Sequence, residues 1–387
     1  MPYRSLSSFY FFYFASLGAL IPYWALYLES LGFTPRQIGE LMAILMATKI
    51  IAPNVWGWIA DHTGQGMRIV RLGSLFAAVA FATIFAAQGY WWVALVMLLF
   101  SFFWNAVLPQ FEAVTLAHLG SEQQRYSLIR LWGSVGFIVV VVGLGPLLDR
   151  FGVELLPWVM LGLLLAISAV AWQVPEGKVE APGTRHRPLL EILARPQVLA
   201  LLLCCFLMQA SHGPYYTFYT LYLEQYGYSR GTIGQLWGLG VLAEVGIFLV
   251  MHRLVPRIGL YNLLLASLLL AALRWLLIGL GAGSLYLLLF SQLLHAASFG
   301  VFHASAIALV HRCFTGRHQG KGQALYSSVS FGAGGAVGSL YSGYMWEHLG
   351  PSSGFLVAAS IALFGALLLW VFLNHNRTAG RSDGFKS

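Results

Sequence analysis

The stretch Tyr27-Leu28-Glu29-Ser30-Leu31-Gly32, continuing through Pro35 to Ile38-Gly39-Glu40-Leu41, returns 195 residues later as Tyr222-Leu223-Glu224-Gln225-Tyr226-Gly227, continuing to Ile233-Gly234-Gln235-Leu236. A chain that repeats at this distance builds one structural unit twice. Its composition decides what kind of unit. With 58% hydrophobic and 9% charged residues and a mean hydropathy of +0.73, the chain cannot form a soluble domain. A duplicated, almost wholly apolar polypeptide points to a transporter, whose halves rock about a site between them near the bilayer midplane.

A spanning helix needs about 20 predominantly apolar residues. Twelve such runs, separated by Gly, Pro or charged clusters, fall six and six: roughly 5–30, 37–60, 69–88, 91–117, 128–148 and 155–173, then 198–223, 231–252, 261–280, 284–310, 323–346 and 354–373. The fold class expected is an all-α membrane protein of twelve transmembrane helices in two six-helix bundles, 1–174 and 198–387, the second with a short tail. Residues 175–197, the longest polar interruption, read as a cytoplasmic linker. The first apolar run is too long for a removable signal peptide and lacks a small-residue cleavage site.

Lys and Arg placement sets the expected orientation. One set of loops, with both termini, carries Arg4, Arg68, Arg71, Arg125, Arg130, Lys178, Arg185, Arg187, Arg195, Arg253, Arg257, Arg312, Arg317, Lys321, Arg377, Arg381 and Lys386, whereas the other carries Arg36, Arg150 and Arg230. Both termini are therefore expected in the cytoplasm. The formal charge of +8 is accounted for by a basic rim facing anionic lipid and calls for no nucleic-acid partner.

The loop after the second span reads Gly57-Trp58-Ile59-Ala60-Asp61-His62-Thr63-Gly64, followed by Arg68 and Arg71. It resembles the signature loop of the major facilitator superfamily, which implies a cytoplasmic gate built from Asp61, Arg68 and Arg71. His62 stands where that family usually has Arg, and a helix cap is the plainer role for Asp61. Pro109 to Ala113, with Glu112, and Arg130-Leu131-Trp132-Gly133-Ser134-Val135-Gly136-Phe137 resemble segments of the lactose permease neighbourhood. There a Glu and an Arg with the same spacing grip the sugar, and a His matches His295. Three residues past that His the permeases carry the carboxylate of proton coupling. This chain has Ser298, which excludes coupling through that position. Within the neighbourhood the chain is similar to the bacterial 3-phenylpropionate permeases along most of its length, through Gly227-Tyr228-Ser229, Leu236-Trp237, Gly240 to Glu244, Arg274-Trp275, Leu294-His295, Phe299 and His303. That resemblance implies proton-coupled import of a small aromatic carboxylate into a bacterial cell across its inner membrane.

Independently of resemblance, ionisable residues inside apolar helices are functional candidates, because each costs about 2.5–3.5 kcal/mol at a helix centre. They are Lys49, Glu112, Arg130, Glu244 and Arg274. If all five line one cavity, three positive charges face two negative ones and the surplus suits a monoanionic carboxylate. The alternative has Glu112 with Arg130 and Glu244 with Arg274 as closed ion pairs and Lys49 snorkelling. Candidate proton carriers are Glu112, Glu244 and His295, whose unperturbed pKa of about 6.5 lies in the working range. His295, Phe299 and His303 share one helical stripe, and a buried, hydrogen-bonded His295 is the simpler role. Among aromatic residues Tyr216, Tyr219 and Trp237 are expected to flank an aryl substrate, although such stripes also serve packing and interfacial belts.

Cys204 and Cys205 are neighbours within one helix, Cys313 reads as a loop residue, and neither a disulfide framework nor a metal site can be built from them. Gly332, Gly334, Gly335 and Gly338 form a packing seam and no phosphate loop. No cofactor and no metal are expected, and no obligate protein partner is evident. The partners expected are a small molecule, protons and the bilayer. A permease for a neutral oligosaccharide or nucleoside is the alternative, a drug exporter a weaker one, and an enzyme is disfavoured because no nucleophile and base constellation occurs.

Overall fold

A computed structural model describes residues 2–120, 122–176 and 192–378. Most of the expected linker lies outside these residues. Six helices precede it: α1 (Tyr3–Ser30), α2 (Pro35–Thr63), α3 (Gly66–Ala82), α4 (Tyr90–Leu119), α5 (Tyr126–Phe151) and α6 (Leu155–Gln173). Six follow it: α7 (Pro196–Glu224), α8 (Arg230–Ile258), α9 (Leu260–Gly281), α10 (Leu285–Cys313), α11 (319–349) and α12 (Ser353–Thr378). Each expected span is met by a helix. Among the described residues eleven are long and apolar enough to cross a membrane. The remaining one, α11, is interrupted by a π-helical stretch, Ser328–Gly334.

The repeat is held in the backbone as well as in the letters. α2 and α8 are each 29 residues long and open on a hydroxyl N-cap, Thr34 accepting from Gln37 N–H and Ser229 from Thr232 N–H, which satisfies a donor the helix leaves free. Left-handed glycines recur in pairs, Gly32 with Gly227, Gly64 with Gly259, Gly120 with Gly316 and Gly152 with Gly350. Each sits in a turn where a side chain would be strained. The halves differ where helices deviate. α7 breaks at His212, just before Pro214, and α10 contains a π-helical stretch, Ala296–Val301, whereas α1 and α4 run without a break. Cys313, expected in a loop, is the last residue of α10, because the helix runs on until Phe314 leaves helical geometry.

Within each half short turns make successive helices antiparallel, and the start of α1 and the end of α12 share one end of the bundle. At the opposite end the halves meet closely: a Cβ on Gly39 of α2 would lie 3.0 Å from Gly343 Cα of α11, and one on Gly145 of α5 would run into the Arg230 carbonyl of α8. Toward the terminal face burial falls away. In α8, seven of the ten residues from Gly231 to Gly240 are buried, but from Val241 to Gly259 only Met251 is. In α2, Ala52 alone is buried from Lys49 to Ala60. The interior is therefore open toward the end bearing the termini and closed at the other.

Candidate functional site

The first charged residues met where that burial fails are Lys49 in α2 and Glu244 in α8. They stand 195 residues apart, at equivalent positions of the repeat. The sequence contained this equivalence in its offset, but the intramembrane charges considered one by one did not reveal it.

Glu244 belongs to a relay in the second half. Arg274 of α9, fully buried, donates from Nη1 to His295 Nδ1 at 3.0 Å and to Ser298 Oγ at 3.2 Å. Its Nη2 donates to Gln292 Oε1 at 3.2 Å and its Nε to the Ser291 carbonyl at 3.0 Å. A guanidinium only donates, so His295 accepts at Nδ1 and carries its hydrogen on Nε2. That nitrogen faces Glu244 Oε2 at 3.4 Å. Glu244 and Arg274 are thus joined through His295 rather than directly. The alternative of a direct Glu244–Arg274 ion pair is not met, because an α10 side chain intervenes, and Arg274 turns its donors to α10 instead of to the open interior. Ser298, where the lactose permease neighbourhood has a carboxylate, accepts from the guanidinium. Gln292 extends the network by accepting from Tyr215 OH at 2.9 Å and donating to Tyr219 OH at 2.7 Å.

In the first half Glu112 accepts from Tyr126 OH at 3.2 Å. Arg130 lies with its guanidinium 3.8 Å over the Phe14 ring, a cation–π contact. Gly133 makes the room, since a Cβ there would come within 2.7 Å of both Arg130 Nη1 and Phe14. No ion pair joins Glu112 to Arg130 among the described residues, so the alternative of a closed pair is not met, although Arg130 stands within electrostatic reach of Glu112 and, across the two halves, of Glu244 and His303.

Lys49 has no carboxylate within salt-bridge distance among the described residues, and its Nζ lies 3.5 Å from Met46 Sδ. Helix geometry fixes its direction. Ile51, Val55 and Trp58 are 58%, 40% and 62% exposed and form the outward stripe of α2, and Lys49 is about 160° around the helix from Ile51. Thr48 on one side bonds Ser101 and Asn105 of α4, and Met46 and Ile50 on the other pack on Gly335 and Gly332 of α11. Lys49 therefore points inward between α4 and α11.

The aromatic candidates cluster in the second half. Trp237 donates to Thr220 Oγ1 at 3.2 Å and its ring sits 4.2 Å from that of Tyr215. Tyr219 is fully enclosed and held by Gln292, whereas Tyr216 is partly exposed and stacks on His212. The expected stripe of α10 is a stack of parallel rings, His295 on Phe299 at 5.3 Å and Phe299 on His303 at 5.9 Å. Gln292, central to this cluster, was not among the sequence candidates. A neutral polar side chain in an apolar run carries little signal.

Of the gate candidates, Arg68 and Arg71 each bond within the first half. Arg71 donates to the Val174 carbonyl at 2.7 Å and to that of Ala171, capping the end of α6. Arg68 donates to Gln65 Oε1 at 2.9 Å. The Asp61 side chain lies outside the described residues.

Twelve helices in an internal repeat, eleven of them long and apolar enough to span among the described residues, with charged residues around an interior open at one end, define a multi-pass membrane transporter. The chain belongs to the major facilitator superfamily: residues 3–357 match the family profile described as "MFS_1 like family". It is 31% identical over 369 residues to the "Probable 3-phenylpropionic acid transporter" of Escherichia coli (strain K12), covering 93% of this chain and 95% of that one. It is 28% identical over 375 residues to the maltose permease of Geobacillus stearothermophilus, covering 96% and 95%. Among solved structures, a mutant of the nucleoside transporter NupG superposes with a TM-score of 0.86 at 16% identity, over 95% of this chain and 99% of that one. Proteins of this family carry solutes and are not enzymes.

Proposed function

We propose that the chain is a proton-coupled symporter importing a small aromatic carboxylate, such as 3-phenylpropionate, across the bacterial inner membrane, with both termini in the cytoplasm. The observation that carries this reading is Lys49. Arg274 is linked to Glu244 through His295, and Arg130 stands within electrostatic reach of Glu112 and Glu244, whereas Lys49 is an interior cation with no carboxylate within salt-bridge distance among the described residues. A monoanion supplies the missing charge, and the 3-phenylpropionic acid relative agrees with it. Tyr216 and Trp237 lie near enough to the relay to offer ring surfaces. Glu244 is the proton site: its carboxylate accepts from neutral His295 in the deprotonated form, and taking up a proton removes the negative charge that the relay sets against Arg274.

The alternative, a permease for a neutral solute, draws on the similarity to a maltose permease, but it leaves Lys49 without a role. The test is uptake of radiolabelled 3-phenylpropionate into proteoliposomes under an imposed inside-alkaline gradient. Native protein accumulates the acid, and Lys49→Ala loses it. Accumulation of maltose or a nucleoside in place of the acid would overturn the assignment.

A further inference from the structure

We propose that the closed face is held shut by two symmetry-related carboxylate latches, Asp149 and Glu347, and that opening them moves the transporter to the state open on that face. Asp149 lies in the last turn of α5. Its Oδ1 accepts from Arg230 N–H and its Oδ2 from Gly231 N–H, each at 2.9 Å. These are the first backbone donors of α8, which have no partner within their own helix, and a carboxylate complements the positive end of that helix. Glu347 lies near the end of α11, and its Oε2 accepts from Arg36 N–H in the first turn of α2 at 2.9 Å.

The two contacts are one device used twice. Arg36 and Gly231 differ by 195 residues, like the N-caps of their helices, and Asp149 and Glu347 differ by 198, like the glycines Gly152 and Gly350 that end α5 and α11. Each carboxylate belongs to one half and each N-terminus to the other, so both bonds cross the boundary along which the halves must part. The copies are unequal. Pro35 stands where the second half has Arg230, and proline offers no N–H, so Glu347 receives one backbone bond where Asp149 receives two. Arg230 adds one further tie across the boundary, donating from Nη1 to the Leu148 carbonyl of α5 at 3.0 Å, and is held in place within its own half by Glu224 Oε1 of α7, which accepts from its Nε at 2.6 Å. The α5–α8 latch is therefore the stronger.

The test uses full-length protein with Cys204, Cys205 and Cys313 replaced by Ser and spin labels on Ser30→Cys with Gln225→Cys at the closed face, or on Gln65→Cys with Arg253→Cys at the terminal face. Asp149→Asn keeps the shape but leaves one of the two N–H groups without an acceptor. It is expected to shift the closed-to-open ratio by about ten-fold, the worth of a charge-assisted hydrogen bond, lengthening the first distance and shortening the second. Glu347→Ala alone shifts it less, and the double variant shifts it most. Arg230→Pro copies the first-half arrangement at a helix position that tolerates proline and gives the same direction without touching either carboxylate. Unchanged distances in the folded double variant would overturn the proposal. So would lengthening at both faces, which signals loosening rather than a switch.

Discussion

The Arg274 guanidinium commits four hydrogen bonds to neutral acceptors inside a protein that spends little on charge. Its planar fork matches this set, and lysine cannot. Arg274→Lys is therefore expected to lower stability by about 1–3 kcal/mol through unsatisfied buried acceptors, read as a lower melting temperature in detergent with no substrate present. Glu244→Gln is expected to separate two activities. Accumulation driven by a pH gradient disappears, while exchange of labelled for unlabelled substrate across liposomes at equal pH persists; loss of both would remove Glu244 from the proton path and place it in substrate binding. The sequence made Glu244, His295 and Arg274 visible as candidates because ionisable groups are rare in apolar helices. It did not show that His295 stands between the other two. That fact depends on which faces α8, α9 and α10 present to one another, and composition does not encode it.

At the scale of elements, the helices were legible because each needs a bilayer's length of apolar residues, and helix existence follows from that requirement. The departures from regular helix were not. The Ala296–Val301 stretch of α10 has the letters of any membrane helix, and its π-helical register is visible only in the backbone. A π turn carries extra backbone relative to an α-helix and rotates the residues C-terminal to it. Deleting Ala297 is expected to remove that extra residue and restore α geometry, placing Phe299 three residues rather than four past His295 and so breaking the His295–Phe299 stack, now at 5.3 Å, while His303 keeps its spacing from Phe299. Membrane insertion and yield should remain near native while uptake falls to background. Native uptake in the deletion would show the stack to be ornamental. Arg71, which motif reasoning placed in a gate, instead ends α6; a signature gives a residue's type and address, whereas the nearest free carbonyls decide its bonds.

For the whole molecule, the opening toward the terminal face and the basic loops there make a joint prediction. In oriented cells a cysteine replacing Ala243, in the unburied part of α8, is expected to react with a thiol reagent that crosses the inner membrane and to be spared by one that does not, whereas a cysteine replacing the buried Gly238 resists both. Rapid labelling at 243 by the impermeant reagent would reverse the orientation inferred from Lys and Arg placement. The repeat was legible to the residue in the sequence, and the structure adds what it relates. An axis that superposes α2 on α8 brings similar backbones together and sets a cation upon an anion, since Lys49 and Glu244 share one position. The interior is thus polarised from one half to the other, and a solute with a charged end and an uncharged end enters it facing one way. Exchanging the two residues, Lys49→Glu with Glu244→Lys, should turn that preference around while keeping the total charge unchanged.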